Sequence, residues 1–397
     1  MRALFLSSAP IHRKTITRVE GILEQGGTVA VAGFSRENFE DRQALTYPVD
    51  NLGLVRNGDL LGRALALPLH WWRALRSARQ VARCDTIWVN SLDMLLLGLL
   101  IRPFLKGAQR VVYDVADLTP KQLSQSLVGN ALRAVERLAC RRVDTLVLTS
   151  PWFWWAYYRD LAPRAQALLL ENKVSAPAPE APATPPAPPW RIVWHGQLRC
   201  RTSLRIAVAL ARALPTQVEV HAWGAVLERL RADVAEADAN VANFTHHGPY
   251  SDAAIAPVFA GAHFVFGYDI DDGRNSELLL SNRLYHGVAR ALPVLAIAGT
   301  AVGGVVQAQA LGPRPFDARD GAASLIAFFR SLRPERYEAM RQGIPAERRA
   351  AAVYSDDFAR LLEAIERGAR GAFQREPAER RYDVLGGPVS ADFALPA

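Results

Sequence analysis

The chain has 397 residues, of which 50% are hydrophobic and 22% charged, and its formal net charge is +8. This length exceeds one ordinary domain and suits two, and half of the chain is apolar, so each half can bury a core. No apolar run is long enough to span a bilayer. The three cysteines lie far apart without metal-ligand spacing, which excludes a local zinc motif and predicts reduced thiols in a cytosolic protein.

The positive charge is concentrated in the N-terminal half. Residues 1–173 hold 23 Lys+Arg against 15 Asp+Glu, whereas residues 174–397 hold 24 of each. Only four of the basic residues are lysine, which a GC-rich codon habit would explain. The uneven distribution still favours an anionic partner for one half: phospholipid, a diphosphate-bearing acceptor or nucleic acid.

Apolar segments separated by helical patterns run through the N-terminal half. The predicted strands are Arg2–Ser7, Thr28–Gly33, Thr86–Asn90, Arg110–Asp114 and Thr145–Thr149. The predicted helices cover Thr15–Gln25, the leucine-rich segment around Leu95, and Lys121–Arg141. Strands that are apolar throughout and alternate with helices are typical of a parallel sheet covered on both faces.

The segment SAPAPEAPATPPAPPW, residues 175–190, interrupts this alternation. It is rich in Pro and Ala and nearly uncharged, which predicts a semi-extended linker. The alternation then resumes with strands at Arg191–His195, Val218–Trp223, Asn243–Gly248, His263–Tyr268 and Pro293–Ile297. We therefore predict an N-terminal domain at 1–173, a linker at 174–190, a C-terminal domain at 191–353, a helix at 354–373 that crosses back to the N-terminal domain, and a loose tail at 374–397.

Two Rossmann-like domains place ligands at the carboxyl ends of their strands. A dinucleotide-binding oxidoreductase would show G-x-G-x-x-G after its first strand, and this pattern is missing from both SSAPIHRK and HGQLRCR. In WHGQLRCRTSL, Gly196 lets the backbone approach a ligand closely. The following helix N-terminus, together with Arg199 and Arg201, could hold a diphosphate. The alternative is a capped helix with two solvated arginines.

The segment FVFGYDIDDGRNSELLLSNRLYHGVARALPVLAI contains an acidic loop followed by a helix. The loop has three aspartates that could form a metal motif: Asp269, Asp271 and Asp272. An exposed loop tip rich in aspartate is more often solvated, so we predict no metal site. Asn275 or Ser276 can cap the helix, and Asn282 and His286 share one face because they lie four residues apart.

In their order and spacing, several segments resemble a GT-B glycosyltransferase of the retaining family 4 type, in its bacterial exopolysaccharide branch. They are YDVADL (113–118), RAVERLACRRVDTLVLTSPWF (133–153), LLENKV (169–174), WHGQLR (194–199), HHGPYSD (246–252) and LLLSNRLYHGVARALPV (278–294). The resemblance covers most of the chain. It implies an α/β fold of GT-B architecture, with two Rossmann-like doubly wound domains facing across a cleft.

The family that the chain resembles binds the nucleotide ribose through a helix glutamate seven residues before the proline of the next strand. That position is His286 here, and the family's earlier glutamate falls on Leu278, next to Glu277. A histidine can still hydrogen-bond a ribose hydroxyl, so we predict a substituted ligand, with a site that has lost its activity as the alternative. The implied donor-binding residues are Gly196, Arg199, Arg201, Glu277, Asn282, Arg283 and His286.

The N-terminal half contains the residues that the resemblance assigns to the acceptor. Asp117 follows a strand and is expected to contact acceptor or sugar, with a capping or loop role as the alternative. The segment APIHRKT occupies the place of the acceptor loop, and its basic residues suit a phosphate or form a solvated turn. Asp117 and His12 are therefore candidate catalytic residues, and Arg13, Lys14 and Asp114 are candidate acceptor-binding residues.

Two further segments combine aromatic and basic side chains. LHWWRALRSARQVARC places four arginines on one broad helical face: Arg73, Arg76, Arg79 and Arg83. This helix either lies on an anionic membrane surface or is an ordinary surface helix. The aromatic run in SPWFWWAYYRD suits core packing, membrane contact or sugar stacking. No nucleic-acid-binding module is recognisable, so we predict no nucleic-acid partner.

The sequence thus predicts a metal-independent glycosyltransferase, with a nucleotide-diphosphate sugar as co-substrate and no other cofactor. It would transfer the sugar, with retention, to a lipid-linked oligosaccharide or polysaccharide precursor. The expected location is the cytoplasm or the inner face of the plasma membrane. One alternative is a sugar-nucleotide epimerase on the same fold, which would require paired carboxylates. The other is a non-catalytic GT-B subunit that binds a glycan or a partner enzyme.

Overall fold

The computed structural model describes residues 1–35, 45–54, 67–79, 84–107, 109–175, 185–251, 254–271, 273–368 and 381–390. The chain divides into two compact units. Unit 1 comprises Met1–Leu170 and Ser355–Glu379, and unit 2 comprises Glu171–Tyr354 and Arg380–Ala397. Among the described residues, no helix is long and apolar enough to cross a membrane.

Unit 1 is built on a seven-stranded parallel sheet of order β3-β2-β1-β4-β5-β6-β7. The strands are β1 (Arg2–Ser7), β2 (Thr28–Ser35), β3 (Val49–Leu54), β4 (Thr86–Val89), β5 (Arg110–Val115), β6 (Thr145–Leu148) and β7 (Gln166–Leu169). β4 and β6 are buried along their whole length, as expected of parallel strands covered on both faces. The direction of travel across the sheet reverses between β1 and β4, which makes this pair the switch point of the unit.

Right-handed crossovers place the helices of unit 1 on opposite faces of the sheet. Its helices are α1 (Arg13–Glu24), α2 (Leu67–Ala78), α3 (Leu92–Ile101), α4 (Pro120–Leu123), α5 (Leu127–Cys140), α6 (Pro151–Phe153), α7 (Arg159–Leu161) and the C-terminal α17 (Asp357–Arg367). On one face α1 packs against α17. On the other face α3 packs against both α2 and α5.

The helix predicted over Lys121–Arg141 is two helices in the structure. Thr119 and Gln122 form a capping box that starts α4, and α4 ends after one turn. Ser126 then caps α5 by accepting a hydrogen bond from the Gly129 backbone N–H. The single-helix prediction is therefore wrong, because two capping residues within seven positions favour a restart over continuation.

The aromatic run after β6 packs into the core of unit 1. Trp152, Phe153 and Tyr158 are fully buried, and Trp154–Tyr158 form one π-helical turn between α6 and α7. The hydroxyls of Tyr157 and Tyr158 donate to the carboxylate of Glu136, at 2.6 and 2.9 Å. Of the three roles that the sequence left open for this segment, the structure therefore supports core packing.

Unit 2 is built on a five-stranded parallel sheet of order β10-β9-β8-β11-β12. The strands are β8 (Trp190–His195), β9 (Val218–Trp223), β10 (Phe244–His246), β11 (Phe264–Phe266) and β12 (Val294–Leu295). The helices are α8 (Arg201–Ala213), α9 (Arg231–Asn240), α10 (Ile255–Val258), α11 (Arg274–Leu278), α12 (Asn282–Ala289), α13 (Ala301–Ala308), α14 (Ala323–Ser331), α15 (Pro334–Gln342) and α16 (Ala346–Ala351). The core is rich in aromatic residues and includes Trp190, Trp194 and Phe264, all fully buried.

Two predictions for unit 2 are corrected. The helix expected from Asn275 onward is interrupted between Leu278 and Asn282, and Ser281 occupies the N-cap position of its second part without a side-chain capping hydrogen bond. The tail predicted as loose contains a hairpin of β13 (Arg381–Val384) and β14 (Gly387–Ser390). This hairpin is held by a hydrogen bond from the Leu385 backbone N–H to Glu171 Oε1 at 3.0 Å.

Candidate functional site

The carboxyl ends of β8 and β11 form the switch point of unit 2. These strands pair in parallel, and the chain leaves β8 toward β9 on one side and reaches β11 on the other. Ligands of open α/β sheets bind in the crevice outside the carboxyl ends at such a point. The predicted donor residues on the loops after these two strands therefore lie where this fold binds ligands.

Arg283 joins the two strand ends. From the first turn of α12 its Nε donates to the carbonyl oxygen of His195 at 2.8 Å, and its Nη1 donates to that of Tyr268 at 2.8 Å. The side chain is only 7% exposed, and burial lowers the pKa of its guanidinium, an effect that the nearby Asp269 opposes. Arg283 therefore positions the two strand ends, and its predicted contact with the donor stays a prediction.

Arg199 and Asp269 bring opposite charges to the same point. Arg199 Nε lies 2.7 Å from Asp269 Oδ2, and the Arg199 side chain is about one-third exposed. Asp269 is 7% exposed, and its Oδ1 has no hydrogen-bond partner among the described residues. A buried carboxylate oxygen without a partner is costly, so this atom suits a donor hydroxyl of a bound ligand.

Gly196 forms a turn that only glycine adopts readily, with φ of +94°. A Cβ atom at Gly196 would meet no atom within 4 Å, so the space beside it is open. Gly224, at the end of β9, packs against this turn, and a Cβ there would lie 2.0 Å from the Gly196 carbonyl oxygen. Sequence reasoning missed Gly224, although a glycine directly after an apolar strand was the available signal.

The N-terminus of α8 is occupied by protein groups. The backbone N–H groups of Arg201 and Thr202 donate to the Asp271 carboxylate, and Cys200 Sγ caps the helix. Burial raises the pKa of Asp271, but these hydrogen bonds outweigh it and the pKa is lowered. The Arg201 side chain pairs with Asp233 at 3.0 Å. Asp271 and Cys200 therefore cap this helix end, and the diphosphate role of Arg201 stays a prediction.

The N-terminus of α12 is a better anion site. The Ser281 hydroxyl donates to the Gly267 carbonyl at 3.0 Å and does not cap the helix. Half-buried Asn282 is the first residue of α12, so its amide lies beside the first-turn N–H groups. In α11, Leu278 is fully buried and Glu277 is half-buried, so Glu277 is the residue of this pair with solvent access.

His286 lies in a buried cluster of rings and cations. It is 3% exposed, it stacks on Phe259 at a centroid distance of 5.7 Å, and it meets His195 edge-on at 4.9 Å. Its Nδ1 lies 3.0 Å from Arg290 Nη1. Because a guanidinium can only donate, Nδ1 accepts this bond and the neutral ring has its proton on Nε2. The ribose contact stays a prediction.

The predicted acceptor residues of unit 1 separate into two groups. Lys14 Nζ pairs with Asp117 Oδ2 at 3.0 Å, and Asp117 is about half exposed, so these two residues lie together at the surface. Asp114 is buried in β5, where its Oδ2 accepts hydrogen bonds from Arg18 Nε at 3.0 Å and Trp88 Nε1 at 3.2 Å. Asp114 therefore forms a buried ion pair with Arg18, and its acceptor-binding role stays a prediction.

His12 and Arg13 begin α1. His12 is the N-cap, with its Nδ1 accepting from the Lys14 backbone N–H at 3.3 Å, and both residues are half-buried. Capping uses one imidazole nitrogen, so any proton transfer by His12 would use Nε2. At the switch point of unit 1, Asn90 Nδ2 donates to Ser7 Oγ at 2.8 Å, and Asn90 Oδ1 accepts from the Ser8 N–H at 3.0 Å. Sequence reasoning missed this network.

Other predicted features have the following structural outcomes. In the described part of the chain, no group of three or more His, Cys, Asp or Glu side chains is arranged to hold a metal ion. The three cysteines are buried and free. Arg73 Nη1 donates to the Leu52 carbonyl at 2.9 Å, which turns it toward the sheet, whereas Arg76 and Arg79 are exposed. Arg83 and Asp272 lie outside the described residues.

Comparison with known proteins gives one related sequence and many related folds. The succinoglycan biosynthesis protein ExoL of Rhizobium meliloti (strain 1021) is 29% identical over 322 residues, covering 77% of this chain and 78% of that protein. Sucrose-phosphate synthase of Thermosynechococcus elongatus superposes with a TM-score of 0.68 at 17% identity, over 92% of this chain and 98% of its own. Anabaena Alr3699/HepE in complex with UDP gives 0.65 at 15% identity, over 92% and 100%. No protein-family model matches the sequence.

These similarities extend over both units and not over one sheet alone. A structural likeness at this level of identity establishes the fold and leaves the activity open. The chain therefore has the GT-B fold that its sequence predicts, and its sequence is similar to that of a protein of exopolysaccharide biosynthesis.

Proposed function

We propose that the chain is a glycosyltransferase of exopolysaccharide biosynthesis. It takes a sugar from a nucleoside-diphosphate sugar and transfers it, with retention and without a metal ion, to a lipid-linked oligosaccharide or polysaccharide precursor. The observation that carries the proposal is the polar site at the switch point of unit 2. There Arg199, the unpartnered Asp269 Oδ1 and the uncapped α12 N-terminus surround the open turn at Gly196.

Each part of this site suits a nucleoside-diphosphate sugar. The α12 N-terminus and Arg199 would stabilise the charge that develops on the departing diphosphate. Asp269 Oδ1 would accept a hydrogen bond from a sugar hydroxyl, which satisfies a buried oxygen and selects for a hydroxylated ligand. Arg283 fixes the ends of β8 and β11, from which Arg199 and Asp269 would make these contacts. A relative named for succinoglycan biosynthesis and a structural neighbour that binds UDP agree with this chemistry.

The acceptor would be held by unit 1. Among the predicted acceptor-side residues, Lys14 and Asp117 form an ion pair at the surface in the described structure. Lys14 would contact an acceptor phosphate, and Asp117 would orient the attacking hydroxyl. His12 and Arg13 in the same first turn of α1 supply further donors.

Ligand-induced thermal stabilisation tests the donor site directly. UDP-, GDP-, dTDP- and ADP-sugars are added to the wild type, to Arg199→Ala and to the control Arg212→Ala, which replaces an exposed arginine near the C-terminal end of helix α8. One sugar nucleotide should stabilise the wild type and Arg212→Ala by about 2–3 kcal/mol at 100 times its Kd, and Arg199→Ala far less. If no sugar nucleotide stabilises the wild type, the donor-site proposal is wrong.

A transfer assay tests the acceptor class and distinguishes a transferase from a non-catalytic GT-B subunit. Radiolabelled donor and total membrane lipids should give a product that extracts into organic solvent, and its anomeric configuration should match that of the donor. Donor binding without any product would instead favour a non-catalytic GT-B subunit. The specific observation behind that alternative is His286, which is buried and bonded to Arg290 at the family's ribose position.

A further inference from the structure

Exposed hydrophobic side chains are concentrated on unit 1. Among the described residues, all eleven large hydrophobic side chains that are exposed lie between Leu23 and Leu138. Nine of the eleven belong to α2, to α3 with the 3-10 turn that follows it (Arg102–Phe104), or to α5. Unit 2 also has an apolar core, but none of its described residues is an exposed large hydrophobic side chain. The exposed hydrophobic side chains are therefore specific to unit 1.

The three helices form one continuous layer. They lie on the same face of the sheet, with α3 packed between α2 and α5. Trp71 joins α2 to the end of α3, because its Nε1 donates to the Leu100 carbonyl at 3.3 Å and its ring meets Phe104 edge-on at 5.2 Å. We call this surface the α2–α3–α5 face, defined by Trp72, Leu96, Leu100, Phe104, Leu127 and Leu138.

Helix α5 buries its acidic residue and exposes leucines, the reverse of an ordinary surface helix. Its one acidic residue, Glu136, is fully buried and accepts hydrogen bonds from Tyr113, Tyr157 and Tyr158. Two of its three leucines point outward, with Leu127 87% exposed and Leu138 63% exposed. An apolar stripe that a helix turns to solvent marks a surface that contacts something else.

The charges on this face are predominantly positive. The described segments 67–79, 92–107 and 120–142 contain ten lysines and arginines and two acidic residues, of which Glu136 is buried. Arg137, Arg141 and Arg142 lie exposed at the end of α5, and the Arg76 guanidinium lies 5.8 Å from the Trp72 ring centroid. Apolar side chains bordered by cations match the interface of an anionic bilayer, where rings and aliphatic chains insert and cations meet headgroups.

We infer that the α2–α3–α5 face docks unit 1 onto a bilayer containing anionic phospholipid. The inserted groups are Leu100, Phe104, Leu127 and Leu138, and the arginines at the end of α5 bind the headgroups. The anchor therefore spans three helices and is centred on α3 and α5, because Arg73 of the helix proposed from sequence is bonded to the sheet. This inference requires no sugar transfer and stands independently of the proposed donor site.

Vesicle co-sedimentation of the full chain tests the inference. Vesicles of phosphatidylcholine alone are compared with vesicles containing about one-third phosphatidylglycerol, and an apolar variant replaces Leu100, Phe104, Leu127 and Leu138 by Gln. The matched control is Leu23→Gln with Leu54→Gln, two exposed leucines that lie outside helices α2, α3 and α5. Wild type and control should bind the anionic vesicles, with binding at least about tenfold weaker to neutral ones.

The apolar variant should lose at least about tenfold in partition coefficient, because each inserted side chain contributes apolar burial. A second variant, Arg137→Gln with Arg141→Gln and Arg142→Gln, should lose on the order of a hundredfold. Its control neutralises three exposed arginines of unit 2: Arg205, Arg212 and Arg330. Circular dichroism and light scattering establish that each variant is folded and report its oligomeric state.

The outcomes separate lipid from protein partners. Equal binding of wild type and both variants, or no wild-type binding to anionic vesicles, overturns the inference. A wild-type oligomer that dissociates in the apolar variant, without vesicle binding, would assign the face to self-association instead. The inference is supported if both variants fold but lose vesicle binding while their controls keep it.

Discussion

Arg199 Nε lies 2.7 Å from Asp269 Oδ2, and the two residues follow strands β8 and β11, which are neighbours in the sheet but 70 positions apart in the chain. The pair leaves Asp269 Oδ1 without a partner among the described residues. We predict that Asp269→Asn retains stabilisation by a free nucleoside diphosphate but lowers turnover about a hundredfold, because a sugar hydroxyl loses its carboxylate acceptor while the phosphate contacts remain. Steady-state kinetics together with thermal shifts measure the two effects separately, and equal loss of both would contradict the assigned role.

Replacing Arg283 should destabilise unit 2. Its guanidinium makes two buried hydrogen bonds to the carbonyls of His195 and Tyr268. Arg283→Met removes both, and of these two carbonyls only that of Tyr268 keeps a bond, the 3.5 Å one from Ser203 Oγ. We expect a loss of about 3 kcal/mol in the free energy of unfolding, measured by urea denaturation. Arg212→Met on the surface of α8 is the control and should change it by less than about 0.5 kcal/mol. A loss below about 1 kcal/mol for Arg283→Met would mean that the strand ends hold their positions without it.

Substitutions at His286 decide between a substituted ligand and a site that has lost its activity. His286→Glu restores the acid of the family pattern and places a carboxylate beside Arg290, which offers a buried counter-charge. If the ring contacts ribose, His286→Glu should keep or increase the thermal shift given by the preferred sugar nucleotide, and His286→Ala should weaken its binding about tenfold. Unchanged shifts in both variants would place His286 outside the site.

Glu136 should be among the most sensitive positions of unit 1. Its buried carboxylate accepts bonds from three tyrosine hydroxyls and from the Gln122 amide. Burial, followed by the Glu136 charge, raises the pKa of Tyr158 well above its ordinary value, so this hydroxyl stays a donor. Glu136→Ala should cost about 4 kcal/mol of unfolding free energy because several buried donors lose their acceptor. Glu24→Ala, at an exposed position, is the control. An equally small change in unfolding free energy for both variants would contradict a stabilising role for Glu136.

Acidification should weaken unit 2 through His263. The ring accepts from the Arg191 N–H at Nδ1 and bonds the Pro185 carbonyl through Nε2, each at 3.0 Å, which requires the neutral form. Burial, the largest cause, lowers its pKa in the fold below the ordinary value of about 6.5. The unfolded chain therefore binds the proton more readily, so this stabilisation is complete above about pH 6.5 and is lost as pH falls below it. Urea midpoints at pH 8 and pH 5.5 should differ less for His263→Gln than for the wild type, and equal differences would exclude His263 as the cause.

Much of the fold was predictable because it depends on local patterns. Parallel strands such as β4 and β6 are apolar along their whole length, and that signal survives without any tertiary information. Helix interruptions were harder to predict. The break before α5 depends on which of the neighbouring Thr and Ser residues caps a helix, a choice worth about 1 kcal/mol, whereas α12 begins at Ser281 without a side-chain cap.

The sequence by itself determined the two parallel-sheet units, the GT-B resemblance and the loops that hold the polar donor-side residues. The tertiary structure decided what each polar side chain does. Arg199, Arg201 and Arg283 are chemically alike in the sequence, but Arg199 meets Asp269 at the switch point, Arg201 pairs with Asp233, and Arg283 is buried against two carbonyls. Their partners lie 15 to 88 positions away in the chain, and only the folded structure brings them within hydrogen-bonding distance. The orientation of α5 was likewise not predictable from the sequence. An amphipathic pattern defines an apolar stripe, but only the packing of Glu136 in the core turns that stripe toward solvent.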